Sequence, residues 1–257
     1  MMTKLDLGRV RRFFLVVLTG LTLSGCITEI TGGMPGPAPK EDRLRAQLDL
    51  ARGYMEKRDW SRAKVPLQKA LEIDNLSVET HVLSAVLFQT ENEPILAEKH
   101  FDRALKIAPD DPQALNNYGS FLYAQERYND ALVPLQKLAD NTNYRARPQV
   151  YESLGLAFMQ LEKMAEAESA FGRALELNFR LARANLELAG LLFERGDLKE
   201  SNEHFFLYNR VGKPTARSTC LGLRLAIAAK DENQESRYRL SLNNLFQDQA
   251  EQCLKTL

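Results

Sequence analysis

Residues that carry metal-bound or nucleophilic chemistry are scarce in this sequence. Three histidines and three cysteines are spread over 257 residues. His81, His100 and His204 stand far apart, and none sits in an H-E-x-x-H pattern. No glycine-rich phosphate loop and no Ser/His/acid nucleophile motif occurs, so the sequence predicts no enzyme, no cofactor or metal and no small-molecule substrate. Strand signals are missing too. No stretch alternates apolar and polar residues between turn residues, which excludes a sheet-based core. Charge of one sign is also lacking: 34 basic residues balance 34 acidic ones. Without a basic stripe carrying interleaved aromatics, nucleic acid is not an expected partner. After Leu23 no apolar run approaches the ~18 residues of a membrane-spanning helix.

What the chain does have is helical periodicity that repeats. From Val78 to Asp111, Leu83, Ala85, Val86, Leu87 and Phe88 give one apolar helical face, and Ala97, Phe101, Ala104, Leu105 and Ala108 give a second. Glu91-Asn92-Glu93-Pro94 separates them, and Pro109 ends the second. Small Ala85 and Ala97 suit a close approach of two antiparallel helices, with Phe88 and Phe101 filling the space beside them. The same arrangement recurs upstream at Ala51, Tyr54, Ala63, Leu67 and Ala70, and downstream at Tyr118, Gly119, Ala131 and Leu135. It recurs again at Tyr151, Gly155, Ala167 and Phe171, at Leu188, Ala189, Ser201 and Phe205, and in weaker form at Leu221, Gly222 and Tyr238. A helix-turn-helix unit with a period of ~34 residues is the tetratricopeptide repeat. The predicted fold is all-α: a right-handed superhelix of about six repeats, each burying its neighbour's open face. Expected repeats are 44–77, 78–111, 112–145, 148–181, 182–214 and 215–248, with a cap at 249–257. Pro66 and Pro134 fall inside second helices and are expected on their outer faces as tolerated kinks.

The first 25 residues read as an export signal. Lys4, Arg9, Arg11 and Arg12 precede a short apolar stretch, Phe13 to Leu23, that ends in Leu23-Ser24-Gly25-Cys26. This tetrad resembles the lipobox of bacterial lipoproteins, which implies that Cys26 becomes the lipidated N-terminus through its thiol. The covalent lipid (diacylglyceryl with palmitate-type chains) would then anchor a chain that does not span the membrane. Removal of residues 1–25 leaves three net negative charges. Ile27, in place of an aspartate, implies sorting to the outer membrane, facing the periplasm. The segment 26–40 comprises the lipidated Cys26 and an expected flexible tether, Ile27 to Lys40, rich in Gly and Pro and reaching at most about 45 Å. The repeat domain spans 41–257. In an oxidising periplasm the two other cysteines, Cys220 and Cys253, are expected to pair and staple the weak last repeat.

The first helices of successive repeats should line a concave groove. By register its wall holds Leu48, Arg52 and Met55, then Val82, Val86 and Gln89, then Asn116, Ser120 and Tyr123. Repeats four and five add Glu152, Leu156, Met159, Leu186 and Phe193. Leu48, Met55, Val82 and Val86 make the N-terminal groove apolar, as a docking surface for a protein segment would be.

The lipobox, the six repeats and the segments ANLELAGLLFERGDLKES and STCLGLRLAIAAKDENQESRYRLSLNNLFQDQAEQCL together resemble the PilF/PilW family of type IV pilus biogenesis lipoproteins. Gln247 and Gln249 stand where the family's FPDS has Pro and Ser. The resemblance implies a pilotin, which helps the secretin PilQ reach the outer membrane and form its ring by binding it through the repeats. The open alternative is a periplasmic repeat scaffold for another envelope machine, such as outer-membrane protein insertion or regulation of cell-wall enzymes.

Overall fold

A computed structural model describes residues 37–255. The expected leader 1–25, the expected lipidation site Cys26 and the expected tether up to residue 36 lie outside the described residues. Among the described residues there are thirteen helices and no strand. They form six consecutive pairs: α1 (Lys40–Glu56) with α2 (Trp60–Ile73), α3 (Val78–Thr90) with α4 (Pro94–Ile107), and α5 (Pro112–Ala124) with α6 (Tyr128–Ala139). Next come α7 (Arg147–Gln160) with α8 (Met164–Leu177), α9 (Ala182–Arg195) with α10 (Leu198–Val211), and α11 (Ala216–Ala228) with α12 (Glu232–Leu245). A last helix, α13 (Gln247–Leu254), closes the array. The first helix begins at Lys40, inside the expected tether, and the cap begins two residues earlier than expected.

The pairs are held by one contact solved six times. A small residue on each first helix meets a bulky one on the second. Where the small residue is glycine the approach is closest: a Cβ at Gly119 would come within 2.8 Å of Leu135, at Gly155 within 2.6 Å of Phe171, and at Gly222 within 2.5 Å of Tyr238. Phe101, Phe121 and Phe171 are fully buried. Apolar clusters cross the repeat boundaries, as with Leu67 on α2 beside Leu83 and Leu87 on α3, so neighbouring repeats share their cores.

Local chemistry sets the helix ends. Asp59, Ser77, Asp111 and Asp231 accept N–H bonds from the first turns of α2, α3, α5 and α12, which satisfies donors the helix itself cannot. Pro94, Pro112 and Pro148 occupy first-turn positions, where no hydrogen bond is lost. The turn inside each pair places one residue in the left-handed region: Arg58, Asn92, Glu126, Glu162, Gly196 and Lys230. Only the fifth turn uses the glycine that this conformation favours.

Two prolines depart from expectation. Pro66 in α2 and Pro134 in α6 are buried rather than on the outer face. Each ring replaces an apolar side chain in the packed stripe of its helix, beside Leu67 and Leu135.

A disulfide joins Cys220 on α11 to Cys253 on α13, with Cα atoms 5.7 Å apart. Around it Leu223, Leu242, Ala250 and Phe246 form a small terminal core. The bridge closes a loop with a sequence separation of 33 residues, and in the chain-entropy treatment such a loop contributes about 3–4 kcal/mol. The expected result of Cys253→Ser is release of α13, read as lost hydrogen-exchange protection in residues 247–254 while repeats one to four keep theirs. Equal protection in both proteins would contradict this.

Candidate functional site: an open cleft in the C-terminal repeats

An apolar opening of about 990 Å³ lies in the second half of the array. Its floor is α9, through Leu186, Gly190, Leu191 and Glu194. One wall comes from the end of α7 and the start of α8, with Met159, Met164, Ala165 and Glu168. The other comes from α11 and α13, with Ala216, Arg217, Cys220, Leu221, Arg224, Gln249 and Cys253. The disulfide is therefore part of the wall. Two flexible thioethers beside leucines make a surface that can fit side chains of varied shape.

Charged groups on the rim are tied in pairs. Arg195 bonds Glu168 at 2.6 Å, and Arg224 bonds Glu194 at 2.5 Å while its guanidinium lies 4.3 Å from the centre of the Phe193 ring. Arg217 pairs with Glu187. Glu187 is buried, which pushes its carboxyl pKa upward against the opposing pull of Arg217 and Arg183. Glu152 on α7 behaves alike: burial raises its pKa, while the N–H of Ala184 donates to it at 3.1 Å. That N–H lies in the first turn of α9, whose N-cap Leu181 has no side-chain acceptor. A carboxylate from the preceding repeat thus supplies the missing cap. The Arg224–Glu194, Arg217–Glu187 and Glu152–Ala184 links run from one first helix to the next, and Arg195–Glu168 ties α9 to α8; together they fix the spacing of the cleft walls.

The nine groove residues expected from the sequence lie elsewhere. Leu48 and Val82 are corrections, since both are core. Leu48 packs with Ala51, Ala63 and Leu67, and Val82 with Ala104 and Ala114. Met55, Val86 and Tyr123 are half-buried along core edges. Arg52 is held by Glu79 at 2.9 Å and by Asp49. Gln89 and Asn116 are half-buried, and Ser120 is exposed, its hydroxyl donating to the Asn116 carbonyl. None of the nine lines the cleft. Of the positions read from repeats four and five, Met159 and Leu186 do line it, and Phe193 carries Arg224. Gly190, Leu191, Arg217 and the disulfide wall were missed. A glycine inside a helix with no bulky partner was the one signal for them: a Cβ at Gly190 would meet nothing within 4 Å.

The histidines form structural contacts. His81 Nε2–H donates to the Asn75 carbonyl at 3.1 Å, so His81 Nδ1 accepts from His100 Nδ1–H at 3.0 Å. Burial, then the positive charge of His81, lowers His100 to about 4. Burial likewise lowers His81 and His204. A folded-state pKa below the unfolded value means that the unfolded chain binds more protons. The histidine contribution is therefore complete above about 6.5 and is lost as pH falls toward about 4. Glu152 and Glu187, shifted upward, offset part of that loss. Over this window His100→Gln is expected to show a shallower fall of the unfolding midpoint than the unaltered protein. Parallel curves would contradict the assignment.

Comparisons with known proteins agree with this architecture. The tetratricopeptide repeat family matches residues 86–149 and 153–205. The type IV pilus assembly protein PilF of Pseudomonas aeruginosa is 38% identical over 240 residues, covering 91% of this chain and 94% of the relative. A solved structure of that protein superposes with a TM-score of 0.77, covering 80% of this chain and 93% of the other. The structure of PilW, described as a widely conserved type IV pilus biogenesis factor, gives a TM-score of 0.68 at 24% identity, covering 79% and 93%. At that identity it speaks for the fold alone.

Proposed function

The chain belongs to the PilF/PilW family of type IV pilus assembly proteins, and from that membership we propose that it is a pilotin for the pilus secretin PilQ. In this reading the lipid on Cys26 supplies an address, the outer membrane, and the repeats supply a grip. An unassembled secretin segment lays apolar side chains into the cleft between α8, α9, α11 and α13, and is carried to the bilayer in which its ring inserts. Binding plus delivery suffices. No bond is made or broken in the client.

Identity with PilF along nearly the whole chain carries the reading. The cleft adds a physical means: an apolar floor, adaptable Met159 and Met164, and a rim of fixed charges that suits a peptide with a polar edge.

The test is Cys26→Ser beside the unaltered protein and a deletion, with secretin rings followed on unheated gels of separated membranes. Rings are expected in the outer membrane only with the lipidated protein, and with Cys26→Ser they fall in amount or remain in the inner membrane. Normal rings in the outer membrane with both the serine variant and the deletion would overturn the reading in favour of a different envelope client.

A further inference from the structure

Away from the cleft, the structure presents a patch of a different kind. The loop after α8 holds Phe179 with 65% of its surface exposed, and α10 presents Phe206 at 59% and Val211 at 39%. A second opening of about 430 Å³ lies among Phe179, Arg180, Leu207, Arg210 and Val211. The Arg210 guanidinium sits 5.9 Å from the centre of the Phe206 ring. The arginines of the cleft are each paired with a carboxylate, but among the described residues neither Arg180 nor Arg210 has one. Glu176, on the preceding helix, is taken by Arg173.

The patch is held in place from below. Buried Asn185 donates to the carbonyls of Phe179 at 2.8 Å and Leu181 at 2.9 Å, and its own oxygen accepts from His204 Nδ1 at 3.0 Å. At the other edge the Tyr208 hydroxyl donates to the Lys213 carbonyl, and Gly212 lies so close to the Tyr208 ring that a Cβ there would come within 2.5 Å. Both segments that present the patch are thus pinned to the core, with the phenylalanines turned outward.

We propose that this surface is a phospholipid contact, seating on anionic headgroups with Arg180 and Arg210 at the phosphates and Phe179 and Phe206 at the interface. Unpaired guanidiniums beside exposed aromatic rings complement an anionic, half-apolar surface. The size of the patch favours lipid over protein. A stable protein interface takes roughly 20–30 residues a side, far more than are gathered here. A small site suffices when it adds to an anchor already in the same bilayer. The inference goes beyond the secretin reading and does not depend on it. It uses the Cys26 lipid only as the reason a bilayer is near.

The unlipidated solenoid, residues 40–257, is a compact unit with its own core and serves as the test protein. It is floated with neutral phosphatidylcholine vesicles and with vesicles that also contain phosphatidylglycerol. The expected result is binding to the anionic vesicles alone, weakened by salt. Arg180→Glu with Arg210→Glu should reduce it about tenfold or more, and Phe179→Ser with Phe206→Ser should reduce it as well. All four side chains are at the surface, so unfolding midpoints should stay unchanged and separate lost binding from lost fold. Failure of the unaltered solenoid to float, equal binding to neutral vesicles, or undiminished binding by either double variant would overturn the proposal. So would loss of a protein partner by these variants without any vesicle binding.

Discussion

Phe171→Ala is expected to destabilise the protein by about 3–5 kcal/mol, the range for truncating a fully buried phenylalanine. The ring is entirely inaccessible, between Ala167, Ala174 and Leu175 of its own helix and Leu188 and Leu192 of α9. It also covers Gly155, whose missing side chain leaves no atom to fill the void. A solenoid transmits such damage to its neighbours first, because each repeat is stable only against the next. The contacts between α7, α8 and α9 should loosen together. Urea unfolding followed by circular dichroism measures the loss, with exposed Phe206→Ala, expected to change stability by less than about 0.5 kcal/mol, as the control. A cost below about 1 kcal/mol for Phe171→Ala would mean that the repeat boundary is not packed as described.

The largest functional effect is expected from a change that leaves the core alone. Gly190 lies on the floor of the cleft, and a Cβ there would touch nothing within 4 Å. Gly190→Trp places an indole in the space assigned to the client while keeping α9 intact. A helical glycine is in any case a weak point. Affinity for the secretin segment should fall about tenfold or more, as when a central anchor of an interface loses its pocket. The unfolding midpoint should stay level or rise. Unchanged binding would move the client to another part of the repeats.

The sequence displays the repeat because six copies must solve one contact. Ala51, Ala85, Gly119, Gly155, Ala189 and Gly222 are small for a single reason, which makes the pattern visible without coordinates. The groove was harder to read. On a first helix the buried seam and the open face lie about one residue apart in register, and an apolar side chain fits either. Leu48 and Val82 belong to the seam, closed by Leu67 and by Ala104 and Ala114. Pro66 and Pro134, on second helices, were misplaced because one step of register likewise separates the packed stripe from the outer face there. The C-terminal cleft was least legible, since its floor and walls come from α7, α8, α9, α11 and α13 and no local pattern marks their convergence. The phenylalanine–arginine patch was equally hidden: Phe179 resembles a core residue until Asn185 is seen holding its loop outward.

The most direct measurement is the amount of secretin ring in the outer membrane of cells deleted for this protein, then restored with either the unaltered chain or Gly190→Trp. The account predicts few or misplaced rings in the deletion, full recovery with the unaltered chain, and levels near the deletion with Gly190→Trp at equal protein abundance. Normal rings in the deletion would contradict the secretin assignment, and full recovery with the tryptophan variant would contradict the cleft.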